Sequence, residues 1–518
     1  MQTYAAVDIG SNSCRLKIAS VQRHRLKTLH EDREVTRLGE SVFDTGVVSP
    51  DSMALTIRAL KRFLKAIQLH AADQVRVVAT SAVRDARNQS EFIAWVKSAT
   101  GWNVEIISGL EEGRLIQLGL VSVEPAARGR CILIDLGGGS CEVTLSDAGR
   151  IREMVSLPLG AVRLTREFLR NDPPTKDQVL QMKTFIAREV GRAEKRLAGQ
   201  RARVVIATSG TAAALAAASR QMTKSSKGKS KRPEEFAEAA NVRRLAAKLT
   251  KMSDAGRAQV PGIGPRRSEI IVAGAHVYAE LVDRLDLQGF QYSPAGLRDG
   301  ILALMLAEKD ARTSAHQRFE TERWEGILEL CRRYGVDPKR ELTVRNRAVQ
   351  LYRELQRVHE LPPEYEFWLE AAALMHEVGK FMNYQGHHRH TQYIIANSEL
   401  YGFAPEQRAI VSAIARYLGK SRLNAQDRIM RLIAPTQHIY IERAIVLLRL
   451  AVALKQGRAS LGTGELQLPA IRTRVFAKRV TLELVRARSA GELELWALRK
   501  EAGYFREVFR RDLFVELV

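Results

Sequence analysis

The chain has 518 residues, 45% of them hydrophobic and 27% charged, a composition that excludes a disordered or fibrous protein, and its length predicts several domains. Its formal net charge of +23 predicts a polyanionic partner. Four cysteines without CxxC spacing exclude a disulfide scaffold, and the absence of a basic leader or a membrane-length apolar run predicts a cytoplasmic protein without a membrane span.

The first third of the chain alternates between strand-like and helix-like segments. The short apolar or alternating runs "YAAVDI", "RLKIASV", "VRVVA" and "NVEII" predict strands, whereas apolar residues near helical spacing between Leu55 and Ile67 predict a helix. This alternation indicates an α/β domain over residues 1–130.

The same pattern begins again at residue 131. Strands are predicted at "CILIDL", "CEVTLSD" and "RVVIA", with a long helix from about Thr175 to Leu197 and another helix after "TSGT". Aligning the two starts pairs Asp8 with Asp135 at a constant offset of 127 residues. The sequence therefore predicts an internal repeat, with a second α/β domain over residues 131–305.

The remaining segments differ in character. A stretch rich in Lys and Ser, residues 224–235, predicts a solvated surface loop, with contact to an anionic substrate as the less favoured alternative. Helical periodicity predicts a helical domain over residues 306–457. Alternation in "RVTLELVRA" and "GELELWALR" predicts strands in a small α+β domain over residues 458–518.

Both repeats place an Asp at the end of a strand, directly before a turn of small residues. Such turns let several backbone amides approach one anion, and Ser13 and Ser140 add hydroxyl donors. Asp8 and Asp135 suit Mg²⁺, which proteins hold through a few carboxylates together with phosphate oxygens. A tight hairpin would explain one such turn, but two related turns favour a phosphate cradle.

Two neighbouring glutamates lie in "ISGLEEGRL", residues 107–115. Ser108 and Glu111 have the spacing of a capping box, which explains Glu111 structurally. Capping does not explain Glu112, which is a candidate base that could accept a proton from an attacking water. Because a helix N-terminus lowers the pKa of a carboxyl group, burial or a neighbouring acid would have to raise it again, and the residues alone leave this role open.

Two strand-to-helix junctions carry hydroxyl groups and arginine. Arg84 lies in "ATSAVRDARN" and can bind phosphate oxygens bidentately, while "ATSGT" repeats the hydroxyl-rich pattern at residues 207–211. For Thr80 and Ser81, helix capping is an equal explanation. Arg267 and Arg298 extend a possible basic rim, with an ordinary surface role as the alternative.

These segments, in this order and together with "SPAGLRDG", resemble the exopolyphosphatase and guanosine pentaphosphate phosphohydrolase (Ppx/GppA) family over about residues 3–305. The helical half resembles the long members of that family. The resemblance implies two ribonuclease-H-like (actin-like ATPase) domains, an all-α HD-like domain and a small α+β C-terminal domain. In the HD-like domain His376 is followed by Glu377 instead of Asp, so a structural or polyanion-contacting role is favoured over a metal site there, also for His387, His388 and His390.

The resemblance also assigns roles to residues. It implies that Glu112 is the catalytic base, that Asp135 and Glu142 are linked to the metal, and that Arg84 binds phosphate. The predicted site comprises catalytic Glu112 and Glu111; phosphate-binding Gly10, Ser11, Asn12, Ser13, Arg84, Gly137, Gly138, Gly139, Ser140, Thr208, Ser209, Gly210 and Arg267; and metal-binding Asp135, Glu142 and Asp8.

The expected activity is that of an exopolyphosphatase, a hydrolase that acts on phosphoric anhydrides and releases orthophosphate with the help of Mg²⁺, with a monovalent cation such as K⁺ as a further candidate. The alternatives are 5′-phosphohydrolysis of guanosine pentaphosphate (pppGpp), dual activity, a kinase or ATPase of the same fold, and a polyanion-binding protein without catalysis. An aromatic content of 6% without a nucleic-acid-binding motif argues against a specific nucleic-acid partner. The resemblance further implies a homodimer.

Overall fold

The computed structural model of the protein describes residues 2–224, 235–310, 312–398, 400–419, 421–455, 471–484 and 492–518. The chain forms two compact units, Met1–Phe319 and Glu320–Val518. The four predicted domain ranges stay predictions, and the predicted boundary at residue 457 lies outside the described residues, as do residues 225–234 of the predicted loop. No helix among the described residues has both the length and the apolar character needed to cross a bilayer.

The first unit contains two sheets and the helices that pack on them. Its strands are β1 (Thr3–Ile9), β2 (Ser13–Gln22), β3 (Arg25–Val35), β4 (Gln74–Ala79), β5 (Val104–Ile106), β6 (Cys131–Leu136), β7 (Cys141–Asp147), β8 (Arg150–Leu157), β9 (Val204–Thr208), β10 (Phe236–Glu238) and β11 (Gly289–Tyr292). Its α-helices are α1 (Leu38–Thr45), α2 (Pro50–Leu69), α3 (Ser81–Asp85), α4 (Gln89–Thr100), α5 (Gly109–Val123), α6 (Ala161–Phe168), α7 (Lys176–Arg196), α8 (Ser209–Lys224), α9 (Ala239–Thr250), α10 (Asp254–Ala258), α11 (Ile271–Arg284) and α12 (Leu297–Lys309), with a 3₁₀ turn at Pro125–Arg128.

The two sheets share one topology. The first has the order β3-β2-β1-β4-β5, in which β2 is antiparallel to β1 and β3, and β1, β4 and β5 are parallel. In the second, β8-β7-β6-β9-β11 repeats this arrangement and β10 adds an antiparallel edge. This strand order, present twice, is that of two ribonuclease-H-like domains, so the predicted actin-like ATPase fold is confirmed.

The repeat read from the sequence is also a repeat of backbone geometry. The Gly10 amide donates to the Ser13 carbonyl at 3.2 Å, and the Gly137 amide donates to the Ser140 carbonyl at 3.0 Å. The first turn (residues 10–13) and the second turn (residues 137–140) are therefore closed by the same hydrogen bond.

The edge strands β3, β8 and β10 and the short strand β11 were not predicted. The sequence of β3, "RLKTLHEDREV", is mostly charged, and every residue of the strand is exposed or only partly buried. Its conformation is set by pairing with β2 along the whole strand. A local apolar pattern cannot reveal such a strand, because its stability comes from the ladder beside it.

Helix α5 is fixed firmly between the elements around it. All its residues from Glu112 to Val121 are buried, and it packs on α12. A Cβ on Gly300 would lie 1.7 Å from the Leu115 carbonyl oxygen, and one on Gly119 would lie 2.4 Å from the Gly296 carbonyl oxygen. The two helices therefore cross at a distance that only glycine permits, and this fixes the position of Glu112.

The second unit combines helices with a small sheet. Its elements are α13 (Ser314–Arg333, which begins before the boundary), α14 (Pro338–Glu354), α15 (Gln356–His359), α16 (Glu364–Met375), α17 (His387–Asn397), α18 (Pro405–Arg416), α19 (His438–Ala453), α20 (Glu492–Phe509), β12 (Ile471–Val475), β13 (Arg479–Leu484) and β14 (Asp512–Leu517), with 3₁₀ turns at Val378–Phe381, Arg428–Leu432 and Pro435–Gln437. The sheet has the order β12-β13-β14. Its buried residues and those of the helices form one hydrophobic core.

One predicted strand is wrong. The segment "GELELWALR" belongs to α20 from residue 492 onward. Leu493, which the alternating pattern would bury, is 59% exposed, whereas Leu498 and Phe505 are fully buried. The buried positions recur at helical spacing, and the alternation was too short to distinguish the two periods.

Candidate active site

A cleft of about 860 Å³ in the first unit is lined by residues of both sheets. Most of the predicted site residues meet there, namely Asp8, Gly10, Ser11, Asn12, Ser13, Glu112, Asp135, Gly137, Gly138, Gly139, Ser140, Thr208, Ser209, Gly210 and Arg267. Glu111, Arg84 and Glu142 do not line the cleft itself. Residues as far apart in the sequence as Asp8 and Arg267 are thus brought to one site by the two related sheets.

The first and second turns approach each other closely. A Cβ on Gly139 would lie 2.1 Å from the Ser81 hydroxyl and 2.9 Å from the Ser11 hydroxyl, and these two hydroxyls are 2.9 Å apart. A Cβ on Gly160 would lie 2.2 Å from backbone atoms of Gly139. The glycine-rich sequence of the second turn is therefore required by the close approach of backbone to neighbouring chain.

Glu112, Asp135 and Glu142 form a compact acidic group. One carboxylate oxygen of each lies within 4.8 Å of those of the other two. Glu112 belongs to the first turn of α5, while Asp135 and Glu142 are opposite partners in the β6–β7 ladder. The register of one hairpin and the position of one helix therefore build this group.

Burial raises the pKa of all three carboxyl groups. The pKa of Glu112 lies well above its usual value because of burial and, next, the charges of Glu142 and Asp135. Burial and Asp135 raise the pKa of Glu142 to about 8, and burial raises that of Asp135 to about 6 against the opposing charge of Arg15. Glu112 thus has the burial and the neighbouring acids that a base at this position needs. Their combined effect on its pKa is larger than the lowering expected from the helix N-terminus.

Several carboxylate oxygens of the site are buried without a hydrogen-bond partner among the described residues. They are Oε2 of Glu112, Oε2 of Glu142 and Oδ1 of Asp8. The other oxygen of Glu142 accepts a hydrogen bond from the Ser156 hydroxyl at 2.7 Å. Buried, unpaired carboxylate oxygens close to one another are a donor set that fits a hard divalent cation.

Glu111 and Arg84 lie beside the cleft. The Ser108 hydroxyl accepts from the Glu111 amide at 3.1 Å, so the serine half of the predicted capping box is present. The Glu111 carboxylate, however, accepts from the guanidinium of Arg114 at 2.8 and 2.9 Å. Arg84 donates to the Ile107 carbonyl at 2.6 Å and lies 3.9 Å from Oε2 of Glu112. Their catalytic and phosphate-binding roles stay predictions.

The junction of β9 and α8 forms another wall of the cleft. Ser209 has a φ of 77°, in the left-handed region that non-glycine residues rarely adopt, which is a form of strain typical of functional sites. The hydroxyls of Ser209 and Thr208 both donate to backbone carbonyls at 2.6 Å, those of Leu136 and Ala295. The hydroxyl groups of Thr208 and Ser209 therefore stabilise the junction of β9 and α8. The backbone amides at the N-terminus of α8 are then the groups of this junction that are candidates to bind an anion.

Five arginines among the described residues line the cleft and are named the arginine group: Arg15, Arg33, Arg266, Arg267 and Arg298. Burial, followed by the charges of Arg33 and Arg15, lowers the pKa of Arg267 to about 9. Burial, followed by the charge of Arg15, lowers the pKa of Arg33 to about 10, and its Nε and Nη2 atoms are buried without a partner among the described residues. Such mutual repulsion is relieved by an anion.

Sequence reasoning missed most of this group. It named Arg267 and Arg298 as a possible basic rim and assigned no role to Arg33 or Arg266. Arg15 and Arg33 are opposite partners in the β2–β3 ladder. Because β3 is an edge strand without an apolar pattern, no local feature of the sequence places these two side chains together.

The chain is similar to known phosphatases in sequence and to proteins of known structure. The sequence model of the Ppx/GppA phosphatase family matches residues 17–309, and that of Ppx/GppA phosphatase domain III matches residues 323–501. An exopolyphosphatase from Cytophaga hutchinsonii is 24% identical over 60% of this chain and 100% of its own, with a TM-score of 0.55. An exopolyphosphatase-like protein is 29% identical over 58% of this chain and 96% of its own, with a TM-score of 0.53. A Ppx/GppA family member from Aquifex aeolicus is 29% identical over 60% of this chain and 99% of its own, with a TM-score of 0.49.

Proposed function

This chain belongs to the Ppx/GppA phosphatase family, and on that premise we propose that its cleft removes the terminal phosphoryl group of inorganic polyphosphate and releases orthophosphate. The observation that supports this proposal is the pairing of the acidic group with the arginine group around a single cleft. The acidic group suits a cation and an attacking water, and the arginine group suits a substrate that carries several negative charges.

The composition of the cleft favours a chain of phosphates over a nucleotide. Five guanidinium groups can bind successive phosphates, whereas the described lining residues include a single aromatic side chain, that of Tyr292. Recognition of a guanine base commonly uses stacking on aromatic rings. The 5′-phosphohydrolysis of pppGpp therefore ranks second.

In the proposed reaction, Glu112 accepts the proton of a water molecule as the water oxygen forms a bond to the terminal phosphorus. The bond from phosphorus to the bridging oxygen breaks, and the shortened chain leaves as an anion. The arginine group and the amides of the two turns orient the phosphates. Mg²⁺, for which Asp135, Glu142 and Asp8 are the proposed ligands, would supply neutralising charge at the phosphoryl oxygens when bound.

A substrate comparison tests the function. We expect the purified protein with Mg²⁺ to release orthophosphate from long polyphosphate, short polyphosphate and pppGpp without ADP or another acceptor, with the highest kcat/KM on long chains. Binding of polyphosphate without orthophosphate release would favour the alternative of a polyanion-binding protein. Release that requires an acceptor would indicate a kinase instead.

Substitution of one arginine refines this test. Arg33→Met removes the charge and keeps an unbranched apolar side chain, so we expect the KM for long polyphosphate to rise by about tenfold. Arg284→Met is the matched control, because Arg284 is exposed, pairs with Glu280 at 2.9 Å and does not line the cleft. An equal rise in KM for both variants would show that only the net charge matters.

The raised pKa values also predict how Mg²⁺ affects stability. In the folded chain burial raises the pKa of Glu142 from 4.5 to about 8 and that of Asp135 from 3.8 to about 6. The folded state thus retains protons that the unfolded state has lost, so the free energy of unfolding falls as pH rises from about 4 to about 8. We expect saturating Mg²⁺ to raise Tm by about 5 °C at pH 8 and by less at pH 5.5, since it replaces these protons. Glu142→Gln should reduce that difference, and equal shifts at both pH values would contradict the proposed metal ligands.

The predicted homodimer stays a prediction. Sedimentation at micromolar protein tests it, and a species with only the monomer mass would contradict it.

A further inference from the structure

The second unit contains another group of possible metal ligands, separate from the proposed catalytic residues. Glu341 lies in α14, and His376 and Glu377 directly follow α16. One ligand atom of each lies within 4.8 Å of the other two. Glu341 and His376 are buried, with 3% and 2% of their surfaces exposed.

His376 presents its Nε2 atom to Glu377, while its Nδ1 atom lies 3.6 Å from Oε2 of Glu341. Its Nδ1 lies 2.7 Å from the Ala373 carbonyl oxygen, and since a carbonyl can only accept, Nδ1 carries the proton. The lone pair is therefore on Nε2, which is buried without a hydrogen-bond partner among the described residues and lies 3.6 Å from Oε1 of Glu377. The Thr391 hydroxyl holds the backbone by donating to the His376 carbonyl at 3.0 Å. A backbone acceptor on one ring nitrogen commonly directs the other toward a metal.

A lysine side chain supplies the cation to this pocket. Nζ of Lys455, which follows α19, lies 2.7 and 2.8 Å from the two oxygens of Glu341 and 3.3 Å from Oε1 of Glu377. Lys380 lies 2.6 Å from the same Glu377 oxygen. Two carboxylates are thus balanced by two ammonium groups. The Lys455 ammonium joins two carboxylates as a metal ion would, but it leaves Nε2 of the imidazole without a hydrogen-bond partner among the described residues.

We propose that Lys455 is a built-in cation that fills a divalent-metal pocket formed by Glu341, His376 and Glu377, and that removal of its ammonium opens this pocket to a transition metal. In the natural protein the ammonium ties the end of α19 to α14 in place of a metal ion. One imidazole and two carboxylates suit Zn²⁺ or Co²⁺ better than Mg²⁺, which prefers oxygen ligands alone.

Cobalt binding tests the proposal, because Co²⁺ with an imidazole ligand has a visible absorption spectrum. Excess Mg²⁺ is included so that the acidic group of the first unit contributes little to the count. We expect Lys455→Ala to bind about one more equivalent of Co²⁺ than the unaltered protein, and His376→Ala in the same background to lose it. Without metal, Lys455→Ala should melt about 5 °C lower, and Co²⁺ should restore the difference.

Lys380→Ala is the matched control. It removes one ammonium from the same Glu377 but leaves Lys455 on Glu341, so we expect no additional Co²⁺. An equal gain in this control would overturn the proposal, because net charge alone would then explain binding. The proposal is also overturned if folded Lys455→Ala binds no more Co²⁺ than the unaltered protein, or if the unaltered protein already holds this equivalent. If the alanine variant does not fold, Lys455→Met, which retains most of the side-chain volume, is measured instead, and the same Co²⁺ results support or overturn the proposal.

Discussion

Glu112→Gln is expected to lower kcat for orthophosphate release from polyphosphate by about 10²- to 10⁴-fold, with KM nearly unchanged. Glutamine has almost the same shape but cannot accept the proton of the attacking water. Glu112 is 7% exposed, its Oε2 atom has no hydrogen-bond partner among the described residues, and burial raises its pKa. These are the properties expected of a general base, and the initial rates of the purified variant measure the effect.

The matched control is Glu308→Gln, since Glu308 is exposed at the end of α12 and does not line the cleft. We expect this control to retain the kcat of the unaltered protein. If Glu112→Gln retains it as well while still binding polyphosphate, Glu112 is not the base.

The second large effect is expected from Gly139→Ala, which should lower kcat/KM by about 100-fold or more. The added methyl group would lie 2.1 Å from the Ser81 hydroxyl and 2.8 Å from the Phe43 ring. It must push the second turn away from the first, so the amides proposed to bind phosphate lose their relative positions. Because both turns contribute to a single cleft, a shift of about 1 Å affects every step that depends on the phosphoryl group.

Gly129→Ala separates this effect from a general sensitivity to alanine. A Cβ on Gly129 would be 4.0 Å from its nearest neighbour, the Ala126 carbonyl oxygen, and its φ of −87° is ordinary for alanine. We expect unchanged kcat/KM for this control. Thermal melting of both variants shows whether a loss of activity reflects unfolding, and a folded, fully active Gly139→Ala would contradict the proposed role of the turn.

The two turns could be predicted because each depends on a local pattern, and aligning them revealed the repeat. The ribonuclease-H-like fold was implied by the resemblance to the Ppx/GppA family. Asp8 and Asp135 each end an apolar strand, and the glycines follow directly. The environment of Glu112 could not be predicted, since it depends on how α5 packs against β7, β8 and α12. From the sequence, a base at Glu112 required neighbouring acids or burial to raise its pKa. In the folded chain Asp135 and Glu142 are these acids.

The arginine group, unlike the two turns, could not be predicted from local patterns in the sequence. Arg15 and Arg33 meet only because β2 and β3 pair, and Arg267 and Arg298 come from chain segments more than 200 residues away. No spacing rule relates residues that are joined by sheet register and distant loops. A charge of +23 predicted a polyanion, but only the folded chain indicates which arginines could bind it.

In the second unit, the helical character was predicted, while the HD-like assignment stays a prediction. His387, His388 and His390 join no group of three possible metal ligands among the described residues. His376 and Glu377 do join one, together with Glu341, which the sequence analysis did not single out. Lys455, which forms an ion pair with Glu341, lies more than 100 residues further along the chain.

Hydrolysis of long polyphosphate in ¹⁸O-labelled water, with Mg²⁺ and without a nucleotide, tests the central claim most directly. If water activated in the cleft attacks the terminal phosphorus, each released orthophosphate carries one ¹⁸O atom from a single attack and the remaining chain carries none. Label at the new end of the remaining chain, or orthophosphate released without label while long chains remain, would contradict this account.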